Sequence, residues 1–148
     1  MLIFSVISPP YQGGVGGVNT TFARGLINFA FETTLSGKNY LRFLQHCQTQ
    51  NYQINLIYFW LKNPQLAIAR VNQRVASGGH NIPQDVIMRR YYRGQKNLIE
   101  SYLSLCHTWI IYDNSNFPTQ LIATYTPEQQ ITIYQPETFN KIQQINYE

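Results

Sequence analysis

The apolar run INLIYFWL, residues Ile54–Leu61, limits more than any other feature how this chain can fold. Branched and aromatic residues favour a β-strand, and a run without polar alternation is typical of a strand covered on both faces, as in a parallel sheet. Asn63 and Pro64 follow this run, and they suit the N-cap and the first position of a helix. The segment therefore predicts a buried strand that leads directly into a helix.

Strands and helices are predicted to alternate along the rest of the chain. The predicted strands are Leu2–Ile7, Phe29–Thr33, Ile54–Leu61, Thr108–Tyr112, Gln120–Tyr125 and Gln130–Tyr134. The predicted helices are Thr20–Ile27, one that opens near Tyr40, one from Pro64 to about Ser77 that Gly78 and Gly79 end, and one from Pro83 to about Leu105. The short connection TPEQ between the last two strands predicts an antiparallel hairpin. We expect a single α/β domain over residues 1–148, with three layers, a mostly parallel sheet flanked by helices, and this C-terminal hairpin.

Positive charge is concentrated in one part of the chain. The formal net charge is +4, and five of the seven arginines lie between Arg70 and Arg93. A local cluster of this kind indicates an anionic partner. Basic residues also alternate with tyrosines in MRRYYR, which can favour nucleic acid, but no nucleic-acid-binding motif is present and we do not expect that partner.

Signals for export or membrane insertion are missing from the sequence. No apolar run approaches the length of a membrane span, and Pro9 and Pro10 interrupt the N-terminal run before it could serve as a signal peptide. Cys47 and Cys106 have no metal-ligating neighbour at close spacing, so we expect buried, reduced thiols. These features predict a cytoplasmic protein without membrane contact.

A glycine-rich stretch, GGVGGVNTTFARG at residues 13–25, lies where a phosphate-binding loop would lie, between a predicted strand and a predicted helix. A P-loop of the form GxxxxGK[ST] has a lysine directly before the hydroxyl residue. Asn19 occupies that position here, before Thr20, and Val18 stands where the second glycine would be. The pattern predicts an altered nucleotide site.

Three further segments make the sequence similar to a known family. They are FAFETTLSGKNYLRFL, INLIYFWLKNPQLAIARVNQRVASGGHNIPQDVIMRRYYRGQKNL and YDNSN. Together they resemble the zeta-toxin-like P-loop kinases, in particular the branch labelled predicted ABC-type ATPases. The resemblance runs from about Phe29 to Asn116, and TTFAR at residues 20–24 extends it to the P-loop helix. It implies a P-loop NTPase-like fold.

The resemblance also implies an activity and a set of site residues. Members of the family transfer the γ-phosphate of ATP to a hydroxyl group, which in characterised toxins belongs to a UDP-amino sugar. Glu32 matches an acidic residue near the acceptor, Arg70 matches an arginine on the ATP phosphates, and His80 falls near the place of a second such arginine. We expect ATP to be bound by Gly16, Gly17, Asn19, Thr20, Thr21, Arg70, Arg74, His80, Asp113 and Asn114. Mg²⁺ is expected at Thr20 through the nucleotide, and an antitoxin-like protein is a further possible partner.

Two departures from the family pattern weaken the predicted chemistry. The P-loop lysine is replaced by Asn19, which carries no charge, and Val18 restricts the backbone that a phosphate nest requires. In the family, a strand ending in Asn-Ala-Asp precedes FETT and supplies the expected catalytic base. Here only GLIN separates Arg24 from Phe29, so that aspartate and its strand are missing. We therefore expect a shortened copy of the domain, weakly active or inactive, with apolar sheet surface left exposed.

Three functions remain open at this point. The first is an ATP-dependent small-molecule kinase, and the second is a non-catalytic nucleotide-binding or protein-interaction domain. The third is nucleic-acid binding through the basic helices, whose signature would be a steep dependence on salt.

Most of the site residues also have an ordinary structural explanation, and the glycines at 13–17 could form a plain flexible loop. Glu32 could be a solvated or capping carboxylate, and Arg70 and Arg74, one helical turn apart, could form a solvated basic face. His80 could be a plain loop residue. Asp113 and Asn114 suit a turn in their own right, because Asx side chains bind their own backbone.

Overall fold

A computed structural model describes the backbone of residues 2–7 and the whole of residues 28–144. Within these ranges the strands are β1 (Leu2–Ile7), β2 (Phe29–Thr33), β3 (Gln53–Trp60), β4 (Thr108–Asp113), β5 (Gln120–Thr126) and β6 (Gln130–Ile133). The helices are α1 (Asn39–Thr49), α2 (Pro64–Ala76), α3 (Gln84–Asn97) and α4 (Pro136–Gln143). A π-helical segment, Leu98–Tyr102, and a 3₁₀ turn, Leu103–Leu105, continue α3.

The strands form one sheet in the order β2-β1-β3-β4-β5-β6. Among the strands of the described residues, only β3 and β4 are parallel, and the other four neighbouring pairs are antiparallel. The predicted mostly parallel sheet of a P-loop NTPase-like domain is therefore wrong. An apolar run predicts a strand but not its direction in the sheet, because that direction depends on which other strands pair with it and how the chain connects them. Here β1 lies between β2 and β3 and runs against both, so that β2, β3 and β4 point the same way.

The predicted three layers are also wrong, because the described helices that pack closely on the sheet, together with the segment that continues α3, do so on one face. Every second side chain of β3 is buried on that face: Ile54, Leu56, Tyr58 and Trp60. They form one core with side chains from α1, the π-helical segment and α4, such as Leu44, Tyr102 and Phe139. On the other face Ile57, Phe59, Ile110 and Tyr112 are only half-buried. The unbroken run Ile54–Leu61 thus belongs to a strand that is fully covered on one face alone.

Local signals placed most helices and strands correctly. The side chain of Asn63 accepts a hydrogen bond from Leu66 N at 2.9 Å, and Pro64 opens α2 as predicted. After α2, Gly78 adopts a positive φ of 93°, which glycine reaches without strain. The C-terminal hairpin is confirmed as an antiparallel pair of β5 and β6. Helix α4 was not predicted, although Pro136 and Glu137 in its first turn are typical of a helix start.

The turn after β2 is held by α3 and the segment that continues it. Leu35 is fully buried with a positive φ of 54°. Its carbonyl accepts a bond of 2.7 Å from Asn97 Nδ2, and the carbonyl of Gly37 accepts one of 2.8 Å from the Tyr102 hydroxyl. Gly94 lies so close that a Cβ there would be 2.4 Å from the carbonyl oxygen of Thr34. The turn at the end of the FETT motif is therefore packed directly on α3.

Candidate anion-binding site

Two loops meet where the parallel strands β3 and β4 end. Asn114 N donates to Trp60 O at 2.9 Å, and Lys62 N donates to the Ser115 hydroxyl at 2.9 Å. Ser115 N in turn donates to the Asp113 side chain at 2.8 Å, so the predicted Asx turn is present. In α/β sheets, the crevice beyond the carboxyl ends of parallel strands is the usual place for a ligand. This end of the sheet is therefore the candidate site.

Helix α2 starts at this end and carries two arginines that donate to loop carbonyl groups. The Arg70 guanidinium donates to the carbonyl oxygen of Asn114. One turn later, Arg74 Nη2 donates to the carbonyl oxygen of His80 at 3.4 Å. The structure thus brings Arg70 to the loop after β4, which is 44 residues away in sequence, whereas the contact of Arg74 with His80 is local. Both arginines are also exposed to solvent, as is the side chain of His80.

Helix α3 packs against α2 and extends the positive surface. The two helices together carry five exposed arginines, namely Arg70, Arg74, Arg89, Arg90 and Arg93. Asp85 is the single acidic residue on them. Tyr91, also on α3, donates its hydroxyl to Leu61 O at 2.6 Å, and burial raises its pKa, so it remains a neutral donor that ties α3 to the end of β3. Neither this contact nor the role of Ser115 was predicted from the sequence.

Glu32 lies on the opposite side of β3 from Asn114. It is exposed on the edge strand β2, where Ile3 of β1 separates it from Ile57 of β3. Two strand spacings amount to about 10 Å. The structure places Glu32 on a strand that runs toward the same end of the sheet, but it does not bring this carboxylate to the loop that Arg70 contacts.

The predicted residues Gly16, Gly17, Asn19, Thr20 and Thr21 lie outside the described residues, as does the predicted helix Thr20–Ile27. The end of β1 can nevertheless be located. Ile7 pairs with Gln53, the first residue of β3, because β1 runs against β3. The chain therefore leaves β1 at the end of the sheet opposite Trp60 and the arginines. In the predicted parallel arrangement, the chain would leave β1 at the end of the sheet where Trp60 and the arginines lie.

Both predicted reduced cysteines are confirmed: Cys47 and Cys106 are free and buried. In residues 28–144, whose side chains are described, no three His, Cys, Asp or Glu side chains come together in a way that could hold a metal ion. None of the helices described is long and apolar enough to cross a membrane.

Comparison with known proteins gives one partial match. A protein of Haemophilus influenzae, described as uncharacterized, is 32% identical over 65 residues, which cover 44% of this chain and 46% of that protein. The chain thus matches less than half the length of this relative. No protein-family model matches the chain, and no solved structure matches it.

Proposed function

We propose that this protein binds the phosphates of a nucleotide, ATP in the first place, and that it transfers phosphoryl groups weakly or not at all. The proposed site consists of Arg70, Arg74 and the loop 113–115, and we call it the arginine site. The resemblance to zeta-toxin-like kinases supports this function. A cytoplasmic setting, where ATP is abundant and thiols stay reduced, is part of the proposal.

The contact of Arg70 with the loop after β4 carries the proposal. A guanidinium group has five N–H donors in a planar fork that matches phosphate oxygens, and the bond to Asn114 O uses only part of them. Arg74 adds a second fork one turn along the same helix face. Because the loop is held to Trp60 and Lys62 by hydrogen bonds, these donors stand on a prearranged surface.

Among the described residues, the site offers only part of what phosphoryl transfer needs beyond the binding of phosphate. Transfer requires a base for the acceptor hydroxyl and strong neutralisation of the γ-phosphate. The Asp113 carboxylate already accepts the bond from Ser115 N, and Glu32 lies across β3. Under the same proposal, Mg²⁺ enters with the nucleotide, and an acceptor such as a UDP-sugar or an antitoxin-like protein remains a candidate partner.

Calorimetric titration of ATP·Mg²⁺ tests the site. We expect Arg70→Gln and Arg74→Gln each to weaken binding about fivefold to tenfold, or about 1–1.4 kcal/mol, since each removes an exposed charged donor. Arg42→Gln is the matched control, because Arg42 is an exposed arginine on α1. Equal binding by all variants would contradict the proposed location, and no binding by the natural chain would contradict the function.

Nucleic-acid binding is the second candidate, because five exposed arginines lie on two helices that pack together. A single-stranded oligonucleotide added under the same conditions separates the two functions. Affinity that falls steeply with salt and depends on Arg89, Arg90 and Arg93 would favour nucleic acid. Affinity for ATP that depends mainly on Arg70 and Arg74 would favour the nucleotide.

A further inference from the structure

The two edges of the described sheet differ in how they are protected. The outer strand β2 carries a charged residue, Glu32, which hinders pairing with another strand. The opposite outer strand, β6, has the sequence QITI, and no charged residue occurs from Gln129 to Gln135. Exposed edges without charges, prolines or bulges are the ones that pair with further strands. Of these two edges, β6 is therefore the one suited to association.

Backbone groups of β6 point away from the sheet in a defined pattern. Tyr134 N donates to Ile122 O, the residue directly opposite in the register of β5 and β6. In an antiparallel pair, hydrogen-bonded and non-hydrogen-bonded positions alternate, so Thr132 is bonded to β5 while Ile131 and Ile133 are not. The N–H and C=O groups of Ile131 and Ile133 are therefore directed to the open edge.

The side chains along this edge are apolar and exposed. Ile131 is 54% exposed, Ile133 is 44% exposed and the adjacent Tyr134 is 54% exposed. Ile131 and Ile133 share the face on which α4 packs, since they pair with Tyr125 and Ala123. Among the described residues, none pairs with these backbone groups, and the apolar strip lies beside them on the same edge.

We propose that two copies of this chain associate through antiparallel pairing of their β6 strands about a two-fold axis at Thr132. The segment Ile131–Thr132–Ile133 is symmetric about its middle residue, so this register places each Ile131 opposite the partner's Ile133. Each such pair exchanges two backbone hydrogen bonds, because those groups already face the edge. The isoleucines form one apolar strip, the two threonines meet on the other face, and no charges oppose each other.

The expected dimer is weak. So short a strand covers much less than the roughly 800 Å² per partner of a typical stable interface, and we expect a dissociation constant on the order of 100 µM. Sedimentation velocity from about 10 to about 500 µM should show the mass rising from monomer toward dimer. A sample that stays monomeric throughout, or one that forms larger species without a dimer, would overturn the proposal.

Two variants test the strand and the register. Ile133→Pro removes one N–H that points to the open edge and leaves the bonds to β5 in place. Ile131→Lys puts a charge on the edge at an exposed position. A lower near-ultraviolet circular dichroism signal would show that the proline variant has lost native packing, and the lysine variant then tests the dimer in its place. We expect each variant to weaken dimerisation at least about tenfold, in line with edge protection by lysine and proline. Ala30→Lys on the opposite edge is the matched control, and loss of the dimer in that variant too would contradict pairing through β6.

Discussion

At the scale of single residues, Ser115 determines the position of the loop on which the arginine site depends. It is buried, with 7% of its surface exposed, and its hydroxyl accepts the bond from Lys62 N. The backbone N–H of Ser115 donates a hydrogen bond to the side chain of Asp113. One small side chain therefore connects the loop after β4 to the residues before α2, in addition to the bond from Asn114 N to Trp60 O.

We expect Ser115→Ala to lower the free energy of unfolding by about 1–2 kcal/mol, because Lys62 N would lose its acceptor in a partly buried position. Urea unfolding of the two proteins measures this difference. Ser104→Ala is the control, since the Ser104 hydroxyl makes an exposed local bond to Ser101 O and its loss should cost less than about 0.5 kcal/mol. Equal effects of the two substitutions would contradict the role of Ser115.

At the scale of elements, α3 connects the two sides of the molecule. It packs on α2 and binds the end of β3 through Tyr91, and it also packs on the turn after β2 through Gly94 and Asn97. The sequence predicted the helix but not these contacts, because MRRYYRGQKN shows no sign of which backbone lies against its glycine. Gly94 is the point at which α3 comes closest to the turn after β2.

We expect Gly94→Ala to lower the free energy of unfolding by about 1–2 kcal/mol. The new methyl group would meet the carbonyl oxygen of Thr34, a backbone atom that cannot rotate away, and this overpacking outweighs the gain of about 1 kcal/mol in helix propensity. Gly37→Ala is the matched control, because a Cβ at Gly37 meets no atom within 4 Å. Thermal unfolding measures both, and a Gly94→Ala protein as stable as the parent would contradict the packing.

At the scale of the whole molecule, the core contains several groups that must stay neutral. Burial raises the pKa of the Cys106 thiol to about 12, and it also raises the pKa values of Tyr58 and Tyr91. The Cys106 thiol donates to Tyr102 O at 3.2 Å, which is consistent with its protonated form. The free energy of unfolding therefore depends on pH on the alkaline side.

We expect stability to fall as the pH rises above about 8.5, where a thiol of the unfolded chain loses its proton while Cys106 of the folded chain keeps it. Below that pH the Cys106 thiol is protonated in both the folded and the unfolded chain, so its contribution to the free energy of unfolding does not change with pH. Near pH 10 the loss from Cys106 amounts to about 1–2 kcal/mol. Melting temperatures between about pH 8 and pH 10 measure it, and Cys106→Ser should show a smaller decline with pH. Identical slopes would contradict a buried, neutral thiol.

Several parts of the fold could be predicted from the sequence because their signals are local. The strand Phe29–Thr33, the Asn63 cap and the hairpin after β5 each depend on a few neighbouring residues. Of the site, the sequence predicted Arg70, Arg74, His80, Asp113 and Asn114 as one group, and the structure places Arg70 beside Asn114 and Arg74 beside His80. Whether they bind a nucleotide is still a prediction.

The sequence by itself determined where most of the described strands and helices form, because apolar spacing, caps and glycines act over one or two turns of chain. Only the tertiary structure decided that β1 enters the sheet against both of its neighbours, that the helices cover one face, and that Glu32 and Asn114 lie on opposite sides of β3. Strand direction and sheet order depend on pairing between residues far apart in the chain. An apolar strand can satisfy its backbone hydrogen bonds with a neighbour of either direction, so no local pattern distinguishes the two.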